Sequence, residues 1–291
     1  MLFIVNPKAG NGRAIKAVDN IKNICERNGI HYSIEFTNYP ENAVEIANKN
    51  ISKFERIIAV GGDGTLNEVL NGIIDSNVAL GVLPCGTGND FARTIYKTMD
   101  IDKILEVLIK SDYKKCDVGK CFNKYFINIA SVGLDAEIAH KVQRGKKIFS
   151  GKTSYLYHLI NTLIQYKNKQ LKIQIDNTNI ESETVLTTIS NGKYYGGGIM
   201  PTPDSNIFDG KFDICHIRKI NKIKIPFLLN KYIKGNHKDF SEVNFYKGKR
   251  VKIESDDLFA VNLDGETFLA NEVKFELKSK YINLIYPKKT H

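Results

Sequence analysis

The sequence predicts two domains, an α/β domain with a mostly parallel sheet followed by a mainly antiparallel β domain. Up to about residue 112, short apolar runs alternate with helical segments, which is typical of a parallel sheet. After that point strand-like runs dominate. The charge changes as well, because residues 1–120 contain 15 basic and 15 acidic residues whereas residues 121–291 contain 27 and 17. We assign residues 1–120 and 121–280 to the two domains, and residues 281–291 to a terminal strand that can return to the first domain.

Four apolar runs bounded by turn residues predict the strands of the first domain at 2–6, 31–37, 56–60 and 78–83. A helix is predicted after each of the first three strands, and the glycine loop at 84–93 is predicted to open a fourth. The spacing of apolar residues gives each of the first three helices one buried face: Ile15, Val18, Ile21 and Ile24; Ala43, Ile46 and Ala47; and Leu66, Val69, Leu70, Ile73 and Ile74.

The second domain is predicted to consist mostly of strands, at 125–130, 171–175, 184–189, 212–217, 251–253, 258–261, 273–277 and 281–285. Two helices, at 155–166 and 223–233, interrupt them. The basic segment 143–147 and the tyrosines of the first of these helices favour a membrane-contact surface, and an ordinary solvated helix is the alternative.

A glycine-rich turn, Gly61-Gly62-Asp63-Gly64-Thr65, joins the third strand to the helix after it. Glycine is used where the backbone must turn tightly or let a ligand come close. The free N–H groups at the start of the helix then form an anion site. A carboxylate beside a phosphate requires a cation between them, so Asp63 indicates a nucleotide phosphate with Mg²⁺. The alternative is that Asp63 only caps its own helix.

Two further glycine loops, residues 6–13 and 84–93, also follow predicted strands. In parallel sheets, ligands bind beyond the carboxyl ends of the strands, so the three loops are expected to converge on one site. The first loop is not the dinucleotide-binding fingerprint, because Ile15 stands where that motif requires a third glycine.

Two acidic turns lie in the second domain. Residues 203–213 contain three aspartates and a glycine, and Asp264-Gly265 precedes Glu266. Oxygen-rich turns can hold Mg²⁺ or Ca²⁺. Spacing alone favours ordinary Asp-Gly β-turns at both places. Nothing in the local sequence decides whether Glu266 is a general base or merely exposed.

Composition bounds the environment and the partners. The longest apolar run, near residues 78–83, is too short to span a bilayer, and the N-terminus lacks the basic region of a signal peptide. The five scattered cysteines have no metal-ligand spacing, so we expect reduced thiols in a cytoplasmic protein. The net charge of +10 is compatible with an anionic membrane, with nucleic acid or with a solvated lysine-rich surface.

Taken together, these segments resemble the diacylglycerol kinase catalytic-domain family, in its soluble bacterial branch. The matching segments, in the family's order, are residues 6–10 (NPKAG), 61–68 (GGDGTLNE), 83–93 (LPCGTGNDFAR), Asp209-Gly210 and 263–266 (LDGE). The second and third are specific in combination. The resemblance covers nearly the whole chain and implies a nucleotide-binding domain of the NAD kinase and phosphofructokinase type, followed by a β-sandwich.

The resemblance also implies roles for individual residues. Glu266 would be the proton acceptor, and Asp63 would hold Mg²⁺ with help from Asp90 and Asp117. A second magnesium site would use Asn206, Asp209 and the carbonyl of Lys211. ATP would contact Asn6, Pro7, Lys8, Ala9, Gly10, Thr37, Gly62, Asp63, Gly64, Thr65, Leu66, Asn67, Glu68 and Thr87.

The function expected from this resemblance is ATP- and Mg²⁺-dependent phosphorylation of diacylglycerol to phosphatidic acid, by a cytoplasmic enzyme at the inner face of an anionic membrane. The alternatives are another lipid acceptor (a sphingoid base, ceramide, monoacylglycerol or phosphatidylglycerol), a non-catalytic regulator, and NAD kinase or phosphofructokinase chemistry. Nucleic-acid binding rests on charge alone, so no nucleic acid is expected as a partner. A homodimer is left open.

Overall fold

The computed structural model describes residues 1–144, 166 and 168–287. The strands of the first domain are β1 (Leu2–Val5), β2 (Ser33–Phe36), β3 (Arg56–Gly61) and β4 (Ala79–Pro84). They lie in the order β2-β1-β3-β4 and every neighbouring pair is parallel. The strands β1 and β4 are buried along their whole length, which explains why the sequence shows them as uninterrupted apolar runs.

Five helices pack around this sheet: α1 (Arg13–Arg27), α2 (Asn42–Asn50), α3 (Asp63–Ile73), α4 (Asp90–Ile95) and α5 (Ile101–Lys110). The predicted inner position of Ile15 is wrong, because this side chain is 44% exposed. The buried stripe of α1 runs instead through Ala14, Ala17, Val18, Ile21, Ile24 and Cys25. Ile15 lies just outside the helical spacing of that stripe.

The described part of the second domain contains nine strands, which pair antiparallel with one another. They are β5 (Tyr113–Cys121), β6 (Lys124–Phe126), β7 (Ile129–Gly133), β8 (Lys169–Ile175), β9 (Thr178–Ser190), β10 (Phe212–Arg218), β11 (Val243–Gly248), β12 (Arg250–Leu263) and β13 (Glu266–Ile285). Side chains from β5 to β10 and from β12 and β13 share one apolar core.

The two longest strands each combine two predicted runs. The polar residues between the runs lie at irregularities of the ladder, between Glu254 and Phe259 in β12 and between Lys278 and Ile282 in β13. These are bulges rather than chain reversals, and an extra residue at a bulge interrupts the alternation that predicts a strand. The strands β5 and β11 were not predicted.

Within the described residues the second domain has two helices, α6 (Leu134–Arg144) and α7 (Ile225–Ile233), and a 3₁₀ turn, Lys222–Lys224, precedes α7. The α7 helix was predicted and α6 was not. The helix predicted at 155–166, apart from Tyr166, and the basic segment from residue 145 onward lie outside the described residues. Among the described helices, none combines the length and the apolar character needed to cross a bilayer.

The last strand connects the two domains. Its first half pairs with β12, and its end pairs in parallel with β4 through Asn283 and Leu284. The strand β5 runs antiparallel beside β13 from Phe275 to Ile285. Two neighbouring strands therefore cross between the domains together, and the boundaries predicted at residues 120 and 280 fall inside them.

Candidate active site

The second and third glycine loops touch backbone to backbone. The N–H groups of Cys85 and Gly86 both donate to the carbonyl of Gly61, at 2.8 and 3.0 Å. A Cβ on Gly86 would lie 2.3 Å from the Cα of Gly62. Only glycine permits this approach, so the two loops form one continuous backbone surface at the carboxyl ends of β3 and β4.

Arg13 ties the first glycine loop to the third. Its Nε donates to the carbonyl of Gly10 at 3.2 Å, and its Nη2 donates to the carbonyl of Gly86. Gly10 has a φ of +57°, and a Cβ there would lie 2.0 Å from the carbonyl oxygen of Cys85. The predicted convergence of the three loops is therefore confirmed, and Arg13, which the sequence left without a role, is the cation that connects them.

Asp63 does not cap its own helix. The helix α3 begins after Gly62 without a side-chain cap. The Oδ1 atom of Asp63 instead accepts the backbone N–H of Phe91 at 3.0 Å, in the first turn of α4. The capping alternative raised from the sequence is wrong for α3, and the carboxylate connects the second glycine loop to the helix that follows the third.

Asp90 lies beside Asp63. The Oδ2 atoms of the two residues are 3.1 and 3.2 Å from the position that a Cβ on Gly88 would occupy. Oδ2 of Asp90 accepts the N–H of Gly197 at 2.8 Å, whereas its Oδ1 has no hydrogen-bond partner in the described part of the chain. Burial, with a smaller contribution from the negative charge of Asp63, raises the pKa of Asp90 to about 6. A buried carboxylate oxygen without a partner, beside a second carboxylate, fits a magnesium ion.

The other residues expected to contact ATP lie around these loops. The amide of Asn6 donates to Oγ1 of Thr65 at 3.1 Å. Thr37, at the end of β2, donates its N–H to the carbonyl of Val5 at 2.9 Å, and Thr87 is exposed in the third loop. The first glycine loop contains Pro7, Lys8 and Ala9. The first turn of α3 contains Gly64 and Leu66. Their contacts with ATP stay predictions.

Asn67 and Glu68 bind other parts of the protein through their side chains. The amide of Asn67 donates to Oδ2 of Asp264 at 3.0 Å, and the carboxylate of Glu68 accepts the N–H of Ala43 at 3.2 Å. Burial raises the pKa of Glu68. These contacts fix α3 against the second domain and against α2.

Asp264 is a junction that sequence reasoning missed. Its carboxylate accepts the backbone N–H groups of Ile127 and Ile129, both at 2.8 Å, as well as the amide of Asn67. In the sequence it resembles an ordinary turn residue because its partners lie more than a hundred positions away. The Asp264-Gly265 turn therefore holds the second domain against the phosphate-loop helix α3.

Glu266, the expected proton acceptor, lies one residue beyond this turn. Its carboxylate is 51% exposed and accepts a hydrogen bond from Lys124 at 2.5 Å. This hydrogen bond raises the pKa of Lys124. The ion pair leaves the Glu266 carboxylate at the surface, next to Gly265.

A cavity of about 500 Å³ opens beside the carboxylates. Asp63, Asp90 and Asp264 belong to its lining, and the remainder is mostly apolar, with Leu134, Ile138, Leu186, Ile217, Ile220 and Leu228 among its members. The wall is built by α6, β9, β10 and α7. Asp135 of α6 also lines it, and burial raises the pKa of that carboxyl. The sequence did not indicate this cavity, because α6 was not predicted.

The second predicted magnesium site lies in a separate turn. Oδ1 of Asp209 accepts the N–H of Lys211 at 3.1 Å, and the N–H of Asp209 donates to the carbonyl of Asn206 at 3.3 Å. Lys247 bridges Asp209 and Asp213, at 3.0 and 3.1 Å. An amide oxygen, a carboxylate and a carbonyl in one turn are a suitable donor set for Mg²⁺. No group of three His, Cys, Asp or Glu side chains with metal-binding geometry occurs in the ranges described.

Asp117 supports that turn. Its Oδ2 accepts the N–H of Gly210 and its Oδ1 that of Lys280, both at 2.7 Å. The same Oδ1 accepts a hydrogen bond from the hydroxyl of Ser279 at 3.2 Å. Asp117 therefore joins the Asp209 turn to the bulge of β13, and its expected part in a magnesium network with Asp63 stays a prediction.

Comparison with known proteins identifies both domains. The model of the diacylglycerol kinase catalytic domain matches residues 1–121. The model of the YegS C-terminal NAD kinase beta sandwich-like domain matches residues 128–286. The two-domain architecture expected from the sequence is thereby confirmed.

Relatives match over nearly the full length. A diacylglycerol kinase of Bacillus subtilis is 30% identical over 290 residues, which cover 98% of this chain and 96% of that protein. One of Staphylococcus carnosus is 30% identical over 267 residues, covering 91% and 87%. A crystal structure of a diacylglycerol kinase from Bacillus anthracis superposes with a TM-score of 0.79 at 25% identity, covering 100% of this chain and 97% of the other. The chain therefore belongs to the diacylglycerol kinase family.

Proposed function

We propose that this protein is an ATP- and Mg²⁺-dependent lipid kinase that phosphorylates the free hydroxyl of diacylglycerol to give phosphatidic acid. The observation that carries the proposal is the cavity of about 500 Å³ with Asp63 and Asp90 in its lining. Its apolar wall suits acyl chains, and its acidic end lies at the glycine loops, where phosphate is expected. A pocket of this size, apolar with few polar groups, is typical of a small-molecule site.

The phosphates of ATP would lie over the joined glycine loops. The N–H groups at the start of α3 point to that surface, and the helix dipole favours negative charge there. Gly62 and Gly86 let the phosphates approach the backbone closely. The bond from Arg13 to Gly86 keeps the first loop in place beside them.

Asp63 and Asp90 would hold the catalytic Mg²⁺, which neutralises charge on the transferring phosphoryl group when bound. Asn206, Asp209 and the carbonyl of Lys211 would hold a second, structural Mg²⁺. The bridge from Lys247 to Asp209 and Asp213 already balances the negative charge of this turn. Lys247 and the ion would therefore compete for the carboxylates.

Glu266 would accept the proton of the lipid hydroxyl during attack on ATP. A lipid hydroxyl ionises far above neutral pH, so a positioned base lowers the barrier, typically by a factor of about 10² to 10⁴. Before it can act as the base, Glu266 must replace its hydrogen bond from Lys124 with one from the lipid hydroxyl. An exposed ion pair of this kind contributes only about 0–1 kcal/mol, so the exchange costs little.

The test is transfer of labelled γ-phosphate from ATP to diacylglycerol in mixed micelles, comparing wild type with Glu266→Gln. We expect labelled phosphatidic acid from wild type and a turnover at least about a hundredfold lower from the variant, with ATP binding intact. Glu276→Gln is the matched control, because Glu276 is also an exposed strand glutamate paired with a lysine, Lys278, at 2.8 Å. Its turnover should equal that of wild type.

Each other outcome has a defined meaning. Near-wild-type turnover in Glu266→Gln would refute its role as the base. If wild type transfers no phosphate to diacylglycerol, the acceptor is wrong, and the same assay on a total lipid extract identifies whichever species gains label. Phosphate transfer to NAD instead of lipid would overturn the proposal.

A further inference from the structure

Helix α7 and the 3₁₀ turn before it expose apolar side chains. Ile223 is 78% exposed and Phe227 is 71% exposed, the highest values among the large hydrophobic side chains of the described residues. The two side chains are one helical turn apart in sequence. An exposed aromatic beside an exposed aliphatic residue costs solubility unless a partner covers them.

The same stretch is strongly basic. Residues 218–238 contain seven lysine or arginine residues and no aspartate or glutamate. Four of the lysines contact acidic side chains: Lys219 with Glu183, Lys224 with Glu242, Lys231 with Asp239, and Lys238 with Asp204. The lysine side chains of these pairs are 48–62% exposed. Exposed ion pairs are weak, so the ammonium groups can turn to another anion at little cost.

The opposite face of α7 belongs to the cavity. Leu228 and Tyr232 are buried, and both line the cavity together with Ile225 and Leu229. One helix therefore carries the cavity wall on its inner face and the exposed apolar residues on its outer face. A bilayer that bound the outer face of this helix would therefore be separated from the cavity only by the helix itself.

We propose that the outer face of α7 with its preceding turn is the docking surface for an anionic phospholipid bilayer. Phe227 and Ile223 enter the acyl region, and the lysines lie at the level of the lipid phosphates. The proposal rests on the proposed function, because only a lipid substrate gives the bilayer a reason to be next to this cavity.

The composition favours a bilayer over a protein partner. Protein–protein interfaces are depleted of lysine, whereas helices that lie in a membrane interface combine lysines with phenylalanine and leucine. Lysine stems are long enough to keep the ammonium group in the polar layer while the helix sits lower. Attraction of lysines to an anionic leaflet adds to the apolar contribution.

The first experiment measures co-sedimentation of the protein with two kinds of vesicle. One kind contains phosphatidylcholine alone, and the other also contains about 30% phosphatidylglycerol, which makes the bilayer surface anionic. We expect wild type to bind the anionic vesicles, and the double variant Ile223→Ser with Phe227→Ser to bind at least about tenfold more weakly. Leu258→Ser is the matched control, since Leu258 is 59% exposed but follows two aspartates. It should bind like wild type.

Kinase assays separate this proposal from the proposed function. On a short-chain diacylglycerol dispersed as monomers, wild type and the double variant should turn over equally, whereas on anionic vesicles the variant should lose most of its activity. Equal vesicle binding by wild type and the double variant would overturn the docking surface, whatever the kinase activity. Absence of activity on both substrates, with vesicle binding lost in the variant, would overturn the proposed substrate and leave the surface standing.

A protein occupant gives a different result. If the outer face of α7 joins two copies of the chain, analytical ultracentrifugation of wild type without lipid shows a dimer that the double variant abolishes. That outcome would replace the bilayer proposal.

Discussion

The carboxylate of Asp63 accepts the backbone N–H of Phe91 at 3.0 Å, so the residue that starts α3 also closes the first turn of α4. The contact spans two glycine loops and leaves Oδ2 of Asp63 facing the same space as Oδ2 of Asp90. A single side chain thus has a structural oxygen and a second oxygen available to a cation.

The two oxygens of Asp63 predict different effects for two variants. Asp63→Asn keeps an oxygen that can accept from Phe91 but loses the charge, so we expect stability close to wild type and a large loss of phosphate transfer. Asp63→Ala loses the contact too and should lower the free energy of unfolding by about 1 kcal/mol. Urea unfolding and the micelle assay check both. Full activity in Asp63→Asn would show that its negative charge is not needed.

The contact between Gly62 and Gly86 predicts that a methyl group at position 86 is not tolerated. Gly86→Ala would place a Cβ 2.3 Å from the Cα of Gly62, and backbone must move. We expect the free energy of unfolding to fall by about 1–3 kcal/mol and ATP binding to weaken. Gly64→Ala is the stability control, since no described atom beyond its chain neighbours and its own helix backbone lies within 4 Å of its Cβ position. In a helix it should be neutral or stabilising by about 0.5–1 kcal/mol. Equal unfolding curves for both variants would contradict the close approach.

Asp90 predicts a stability that falls with rising pH. Burial raises the pKa of Asp90 to about 6 from 3.8, so between these values the folded state binds more protons than the unfolded state. Its contribution is complete below about pH 4 and is lost as pH passes 6, amounting to about 3 kcal/mol at most. Urea unfolding of wild type and Asp90→Asn from pH 4 to pH 7 isolates this contribution. A constant difference between the two proteins would exclude it.

The Asp209 turn predicts a response to metal. Asp209→Ala should lower the melting temperature and abolish any stabilisation by Mg²⁺ in a thermal unfolding assay without ATP. Asp204→Ala is the control, because Asp204 lies in the same loop and also pairs with a lysine, Lys238, but does not belong to the predicted donor set. It should keep the response of wild type to Mg²⁺. If Asp209→Ala is stabilised by Mg²⁺ as much as wild type, the turn does not bind Mg²⁺.

Local rules were sufficient for the glycine loops. The backbone conformation or close packing at three positions tolerates only glycine, namely Gly10, Gly62 and Gly86. Glycines that directly follow a buried strand indicate such positions in the sequence. The strands of the first domain and its first four helices were therefore predictable in order and in type, whereas α5 was not predicted. The error at Ile15 arose because its spacing to Val18 fits a helix face equally well, and only the packing of α1 decides which face is buried.

Long-range contacts were not predictable from the sequence. The strand β5 begins with Tyr113, Lys114 and Lys115, whose exposed side chains do not alternate as a half-buried strand requires. Asp264 receives its hydrogen bonds from residues far away in the chain. The cavity forms where α6 and α7 pack against β9 and β10. A space between separate elements has no local sequence pattern, so the sequence could not predict it.

The ribbon formed by β5 and β13 has a mechanical consequence. Because two hydrogen-bonded strands cross between the domains side by side, rotating one domain against the other must bend this ribbon rather than extend a slack linker. The bulge between Lys278 and Ile282 is where its ladder is already interrupted, and the carboxylate of Asp117 holds that bulge through the N–H of Lys280. The buried carboxylate of Asp117 therefore limits how far the ribbon can bend at the place where its ladder is weakest.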